Sequence, residues 1–294
     1  MQNVNLKNQL RLHIIVFIWG FTAILGKLIS LQALPLVFTR IAIAVAVILS
    51  YLLLKKKNLA IGSKNILRFL LYGFVIAIHW LTFFHAIKIS NVSITLACLS
   101  TGAFFTSILE PIFYKRKFIL YEIVLGCLVI VGLLLIFRFE TQYKLGIATA
   151  LLSAFLSASF SIINGKLAST HDSVVVSFYE LLGGLFILAC FLIVQGGFTA
   201  MNFNFQPYDY LWLGILGSIC TAYPFIGTID IMKYLTPYTV MLTINLEPVY
   251  GIILAVFLFK GQEKMTPAFY FGAVIILSTV LLNAYFKNRK KASA

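Results

Sequence analysis

Arg40, His79, Glu180 and Glu247 are ionisable residues that lie deep inside long apolar stretches of the chain. A charge at the centre of a bilayer costs about 2.5–3.5 kcal/mol on insertion scales, so such groups turn toward a polar cavity or a partner. A guanidinium, an imidazole and two carboxyls in that setting can hold the charged ends of a small solute or exchange protons. Glu247 stands first among them. It precedes Pro248, which removes a backbone donor and frees the carbonyl of Ile244, so the helix is weakened beside an acidic group. A packing kink with a structurally paired Glu247 is the competing reading.

Aromatic and polar neighbours extend the set. His79 is followed by Trp80, and Glu180 is preceded by Tyr179. Tyr223 precedes Pro224, and Trp19 lies within the first apolar run. Trp19, Arg40, His79, Trp80, Tyr179, Glu180, Tyr223 and Glu247 are therefore the candidate solute-binding residues. Each has a plainer role open to it: internal hydrogen bonding for His79, packing for the aromatics, snorkelling to the interface for Arg40. Lys27 shares the ambiguity of Arg40. Ser153, Ser157, Ser161 and Asn164 recur at spacings of four, four and three, which puts them on one helix face. Such small polar faces serve helix packing more often than cavity lining. Glu110 precedes Pro111 close to Lys115, Arg116 and Lys117, and is read as structural.

Enzyme chemistry has little to rest on. The chain contains no HExxH, no closely spaced Asp pair and no CxxC, and its four cysteines lie far apart inside apolar runs. Asp230 and Lys233 stand three apart, as a surface ion pair on a helix would. No metal or cofactor is expected. An intramembrane enzyme is a remote alternative, and a channel-like facilitator a nearer one.

The elements that must position these residues follow from composition. Sixty-one percent of the 294 residues are hydrophobic and 11% are charged, whereas a soluble domain carries roughly a quarter charged residues. Lipid is the expected solvent. The net charge of +14 comes from Lys and Arg clusters between apolar runs, the pattern of membrane topology. No domain is left to bind nucleic acid. Cutting at polar clusters, Pro and Gly gives ten spans, near 12–30, 35–54, 66–87, 92–114, 118–137, 146–168, 174–195, 209–232, 238–259 and 267–286. The first span follows Lys7 and Arg11 but lacks an Ala-x-Ala cleavage site, and is read as uncleaved. With Lys27 and Arg40 set aside as lying within spans, sixteen basic residues fall on the side of both termini and five on the other, so both termini are expected in the cytoplasm.

The two halves of the chain match each other. Gly26-Lys27-Leu28 is echoed 139 positions later by Gly165-Lys166-Leu167, and Phe38-Thr39-Arg40 is echoed 140 later by Phe178-Tyr179-Glu180. The stretch from Thr101-Gly102 to Gly126 meets Glu247-Pro248 to Gly272, 146 later. A rival pairing of Glu110-Pro111 with Glu247-Pro248 puts Gly126 and Gly272 nine positions out of register. A duplicated unit of five spans must insert the second time upside down. The expected fold is thus an all-α membrane protein of ten helices in two inverted five-helix repeats, 1–140 and 141–294. Inverted repeats are a transporter construction in which one half rocks against the other around a central site.

Several motifs carry a family resemblance. They are Trp19-Gly20 with Lys27, Pro35 with Arg40, Ala86-Ile87-Lys88, and Leu246-Glu247-Pro248-Val249 followed by Gly261-Gln262-Glu263. With these, in this order over nearly the whole chain, the sequence resembles the EamA-type branch of the drug/metabolite transporter superfamily. It departs from that pattern at Gly102, where the family usually has proline, and at Lys117, where Glu is common. The resemblance implies ten helices, cytoplasmic termini and movement of metabolites, often amino acid export, in a bacterial inner membrane. The implied partners are a small-molecule substrate, the lipid bilayer and, as a further candidate, a coupling ion or proton. Topology is testable directly. Single cysteines at Lys56 and Arg116 should be shielded from an impermeant thiol reagent in intact cells, while one at Lys144 should label; labelling of Lys56→Cys from outside would reverse the assignment.

Overall fold

The computed structural model describes residues 2–235, 237–244, 246–259 and 265–292. Among these every regular element is a helix, with no strand. The helices are α1 (Gln2–Leu28), α2 (Ala33–Leu54), α3 (Ser63–Ile89), α4 (Val92–Leu99), α5 (Gly102–Tyr114), α6 (Leu120–Phe139) and α7 (Lys144–Ala168), then α8 (Ser173–Val194), α9 (Pro207–Gly217), α10 (Tyr223–Ile231), α11 (Pro237–Ile244), α12 (Glu247–Leu258) and α13 (Pro267–Ala292). Seven helical segments among the described residues are long and apolar enough to cross a membrane: Leu6–Leu28, Ala33–Leu54, Ser63–Ile89, Val92–Tyr114, Thr141–Ala168, Ser173–Val194 and Pro207–Ile231. Shorter apolar helices cover Val124–Ile136, Glu247–Leu258 and Pro267–Thr279, within the other three expected spans.

Three expected spans are not continuous α-helix. The run 92–114 divides into α4 and α5 at Ser100-Thr101, and the run 238–259 divides into α11 and α12 just before Glu247. Pro248 in the first turn of α12 explains the second break, since it cannot donate back to Ile244. The first break has no proline. There the Ser100 and Thr101 hydroxyls bond back to the carbonyls of Ala97 and Cys98, at 2.6 and 2.7 Å, ahead of the poor helix former Gly102. The two breaks fall where the sequence match of Thr101-Gly102 with Glu247-Pro248 puts them. Between α9 and α10 a π turn, Ser218–Ala222, widens the helix just before Tyr223-Pro224. The Thr221 hydroxyl donates to the Leu216 carbonyl inside this turn, at 2.5 Å.

Helix starts follow local chemistry. Asn91 caps α4 by accepting from the Ile94 N–H at 2.9 Å, and Asp172 caps α8 by accepting from Val174 and Val175. Pro207 opens α9 inside a capping box formed by Gln206 and Asp209. Helix α3 packs against α7 and α8, α2 against α8 and α9, α1 against α12, and α6 against α13. The two interrupted spans meet each other, with α4 against α12 and α5 against α11. The apolar part of α1 is tied at both of its ends to the span 207–231. At one end Asp209 accepts from the Ser30 amide and hydroxyl. At the other Asp230 takes Arg11 at 2.8 Å and Lys233 at 2.9 Å.

Contact between α3 and α8 depends on glycine. A Cβ built on Gly73 would lie 1.9 Å from the Glu180 carbonyl oxygen, so the two backbones could not stay at this separation. Gly73→Ala should destabilise the protein by about 1–3 kcal/mol, the usual range for overpacking, read as a lowered melting temperature in detergent. A second clamp is pH-sensitive. Burial acts to raise the Asp172 carboxyl, but Lys57 and the Val174 and Val175 amides outweigh it and hold the group below its ordinary range. Its contribution is therefore complete above the ordinary carboxylate range and is lost as pH falls through the depressed value. Wild type should exceed Asp172→Asn by about 0.2–1 kcal/mol at neutral pH, as befits a partly exposed pair, and the gap in melting temperature should close in acid.

Candidate functional site

Where the interrupted spans meet α1, α2, α3, α7 and α10, the bundle leaves a cavity. Its cavity volume is about 70 Å³, room for several water molecules or a small polar group, within a wider space of about 750 Å³ not filled by atoms, part of it open to the outside. Trp19, Arg40, His79, Trp80 and Glu247 line it, so five of the eight expected residues are brought together from four regions of sequence. Tyr179, Glu180 and Tyr223 lie outside the lining. The Tyr179 hydroxyl donates to the Leu59 carbonyl at 3.0 Å, Glu180 is completely buried, and Tyr223 is about half exposed.

Arg40 does not snorkel. Only 1% of it is exposed, because the inward face of α2 carries it under the aromatic side chains of α3. Its guanidinium lies 4.2 Å from the Trp80 ring centre and 5.2 Å from that of Phe84, the stacking geometry favoured by a planar cation. Its Nε donates to the Thr221 hydroxyl at 2.6 Å, within the π turn. The widened turn is thus what presents a side-chain acceptor to the cation.

His79 is oriented by α7. Its Nδ1 lies 2.9 Å from both the carbonyl oxygen and the hydroxyl of Ser153; a carbonyl only accepts, so Nδ1 carries a proton, and in the neutral ring Nε2 is then an acceptor. The Ser153 hydroxyl donates in return to the His79 carbonyl at 3.0 Å. The imidazole packs between Phe83 and Phe160. Trp80, Phe160 and Phe225 form a connected aromatic wall.

Glu247 opens α12 at the helix break and is nine-tenths buried on the cavity side. Arg40 acts on it electrostatically, yet among the described residues the two close no direct ion pair. The chamber therefore holds one cationic and one acidic group held apart. Met241 touches the opposite break, where a Cβ on Gly102 would meet its Cε at 3.0 Å. Between the charged groups the walls are aromatic and aliphatic, with Leu99, Ile229, Met232, Met241 and Ile244.

The cavity also collects unfinished hydrogen bonds. Thr22 Oγ1, Arg40 Nη1, Ser161 Oγ and Asn164 Oδ1 are buried without a partner among the described residues, and all four residues line it. Buried polar atoms in folded proteins are nearly always satisfied, so donors and acceptors converging on one chamber mark a place for water or a polar solute. Ser157, Ser161 and Asn164 border the chamber while Ser153 holds His79. The serine face of α7 therefore lines the cavity as well as packing. Thr22, Thr221 and Thr228 were not singled out from sequence; threonines bonding within apolar helices are common, and nothing in their spacing sets these apart. Elsewhere, Lys27 sits over the Phe259 ring at 4.2 Å and Glu110 pairs with Arg116 at 3.3 Å.

Comparison with known proteins decides the family. The sequence profile of the EamA-like transporter family matches this chain twice, over residues 10–138 and 144–285. The chain belongs to the EamA-like transporter family. It is accordingly an integral membrane protein, and members of this family are transporters of small solutes rather than enzymes. No curated protein sequence matches it. A crystal structure of another protein is similar in fold, with a TM-score of 0.67 over 93% of this chain and 95% of that one at 15% identity. The EamA match embraces both helix breaks and every residue of the cavity.

Proposed function

We propose that this EamA-family protein carries small organic solutes, amino acids above all, across a bacterial inner membrane by alternating access. Its ten spans form two inverted halves, 1–140 and 141–294, with both termini in the cytoplasm and export as the working direction. The observation that carries this reading is the cavity itself: a buried guanidinium and a buried carboxyl held apart in one apolar chamber with unsatisfied hydrogen-bonding atoms. An α-amino acid matches that layout. Its carboxylate suits Arg40, its ammonium suits Glu247 and the His79 Nε2 acceptor, and an apolar side chain suits Trp80, Phe225 and the methionines. Interrupted helices in both halves border the chamber, as at other carrier sites.

In proteoliposomes, saturable uptake of radiolabelled amino acids with counterflow is the expected result, and a survey without saturable movement would overturn the proposal. Glu247→Gln keeps size and removes charge. Apparent affinity should fall roughly tenfold or more, the worth of one charge-assisted hydrogen bond, with the melting temperature unchanged. Normal flux with early melting would instead assign Glu247 to the scaffold.

A further inference from the structure

Glu180 is the buried group that packing explains least. It is completely buried, and among the described residues neither carboxyl oxygen has a hydrogen-bond partner. It sits seven residues into α8, roughly 10 Å from the helix start at 1.5 Å per residue. Helices α2, α3 and α10 pack on α8. Their ionisable groups are Arg40 and Tyr51 on α2, Lys64, Arg68, Tyr72, His79, His85 and Lys88 on α3, and Tyr223 and Asp230 on α10. None of them acts on the Glu180 carboxyl; the polar group that does is the Asn164 carboxamide of α7, which is in reach of it without closing a hydrogen bond in this conformation. Arg40 is directed at Thr221 and Trp80, and Asp230 is held by Arg11 and Lys233.

A carboxylate completely buried without a counter-charge or a closed hydrogen bond is costly in an apolar interior, and keeping a proton removes that charge. That proton also resolves a second anomaly. Asn164 Oδ1 is a buried acceptor without a donor, and a protonated carboxyl is a donor. Each group lacks what the other can supply once the proton is present. Asn164 in addition lines the solute cavity, so one side chain touches both the acid and the chamber.

We propose that Glu180 is a proton-binding site, linked to the solute cavity through Asn164, whose loading and release couple solute movement to the proton gradient. The coupling rests on the carrier reading given above; the proton site does not. On release the O–H bond of the carboxyl breaks, its electron pair stays on oxygen as carboxylate, and the proton passes to cavity water. This requires Asn164 to turn aside and water to reach the group. In the conformation seen here Asn164 keeps the acid closed off, so release belongs to a different stage of the cycle from solute occupancy of this cavity.

Infrared spectroscopy of the purified full chain tests the site without a solute. The wild type should show the carbonyl stretch of a buried, protonated carboxyl at neutral pH, and Glu180→Gln should lack it; an identical band in the variant overturns the proposal. Should Glu180→Gln not fold, Asn164→Leu removes the acceptor and must shift the band, and an unshifted band overturns the link. Coupling is read in proteoliposomes with a mixture of radiolabelled standard amino acids. Wild type should accumulate label under a pH gradient, whereas Glu180→Gln should keep counterflow exchange at the wild-type rate with its accumulation ratio reduced to unity. Gradient-driven accumulation equal to wild type in the variant, or counterflow in wild type with no response to the gradient, overturns coupling and leaves the carrier reading intact. If wild type moves no amino acid, the carrier reading falls and coupling with it, while the infrared band still decides the proton site.

Discussion

Inside a bilayer there is no water to receive a backbone N–H or C=O, so every interruption of a helix must be sheltered by other protein or by a polar chamber. This constraint organises the molecule. The breaks at Ser100-Thr101 and before Glu247 are placed where two spans cross, α4 on α12 and α5 on α11. The π turn at Ser218–Ala222 faces the same interior. Two of the three interruptions are repaired by side chains, through the Ser100 and Thr101 hydroxyls at one and Thr221 at another. The irregular backbone then becomes useful. Thr221 is presented to Arg40, and Glu247 is delivered at the start of a helix, directed into the space its own break creates.

The same low-dielectric interior explains how the charged groups are arranged. Arg40 is accommodated by ring faces and one hydroxyl, which spread its charge without cancelling it. Glu247 is close enough to feel that charge but not to neutralise it by contact. A tight pair would fill its own hydrogen bonds and leave nothing for a solute; a separated pair keeps both ends open. At the ends of the spans, by contrast, the pairs are closed. Asp209 with Ser30 and Asp230 with Arg11 hold the two ends of the apolar part of α1 to one neighbouring span, so that α1 and the span 207–231 are fastened outside the chamber and not within it.

Much of this was legible in the residues. Apolar runs, basic clusters and proline positions gave the helices, and a proline after Glu247 marked one break because a missing N–H is a local property. The matching break was visible only through internal similarity, since Gly102 and two hydroxyls are a weaker signal than a proline. Five of eight expected cavity residues meet in one place. The exceptions are instructive: Glu180 matches Arg40 in the internal repeat, yet Arg40 lines the cavity and Glu180 is buried outside its lining.

What the sequence by itself determined is whatever follows from local chemistry: solvent, helix content, the weakened points, the family and the residues too polar for lipid. Which way each helix faces was decided by the tertiary structure alone. In a soluble protein a polar stripe marks the solvent side, but here lipid and core are equally apolar, so the hydrophobic pattern is the same all round. Only packing reveals that Arg40 turns under Trp80, that Tyr179 reaches Leu59, and that the serine face of α7 borders a chamber. Gly73 against the Glu180 carbonyl fixes the distance between α3 and α8, a distance that no residue encodes alone.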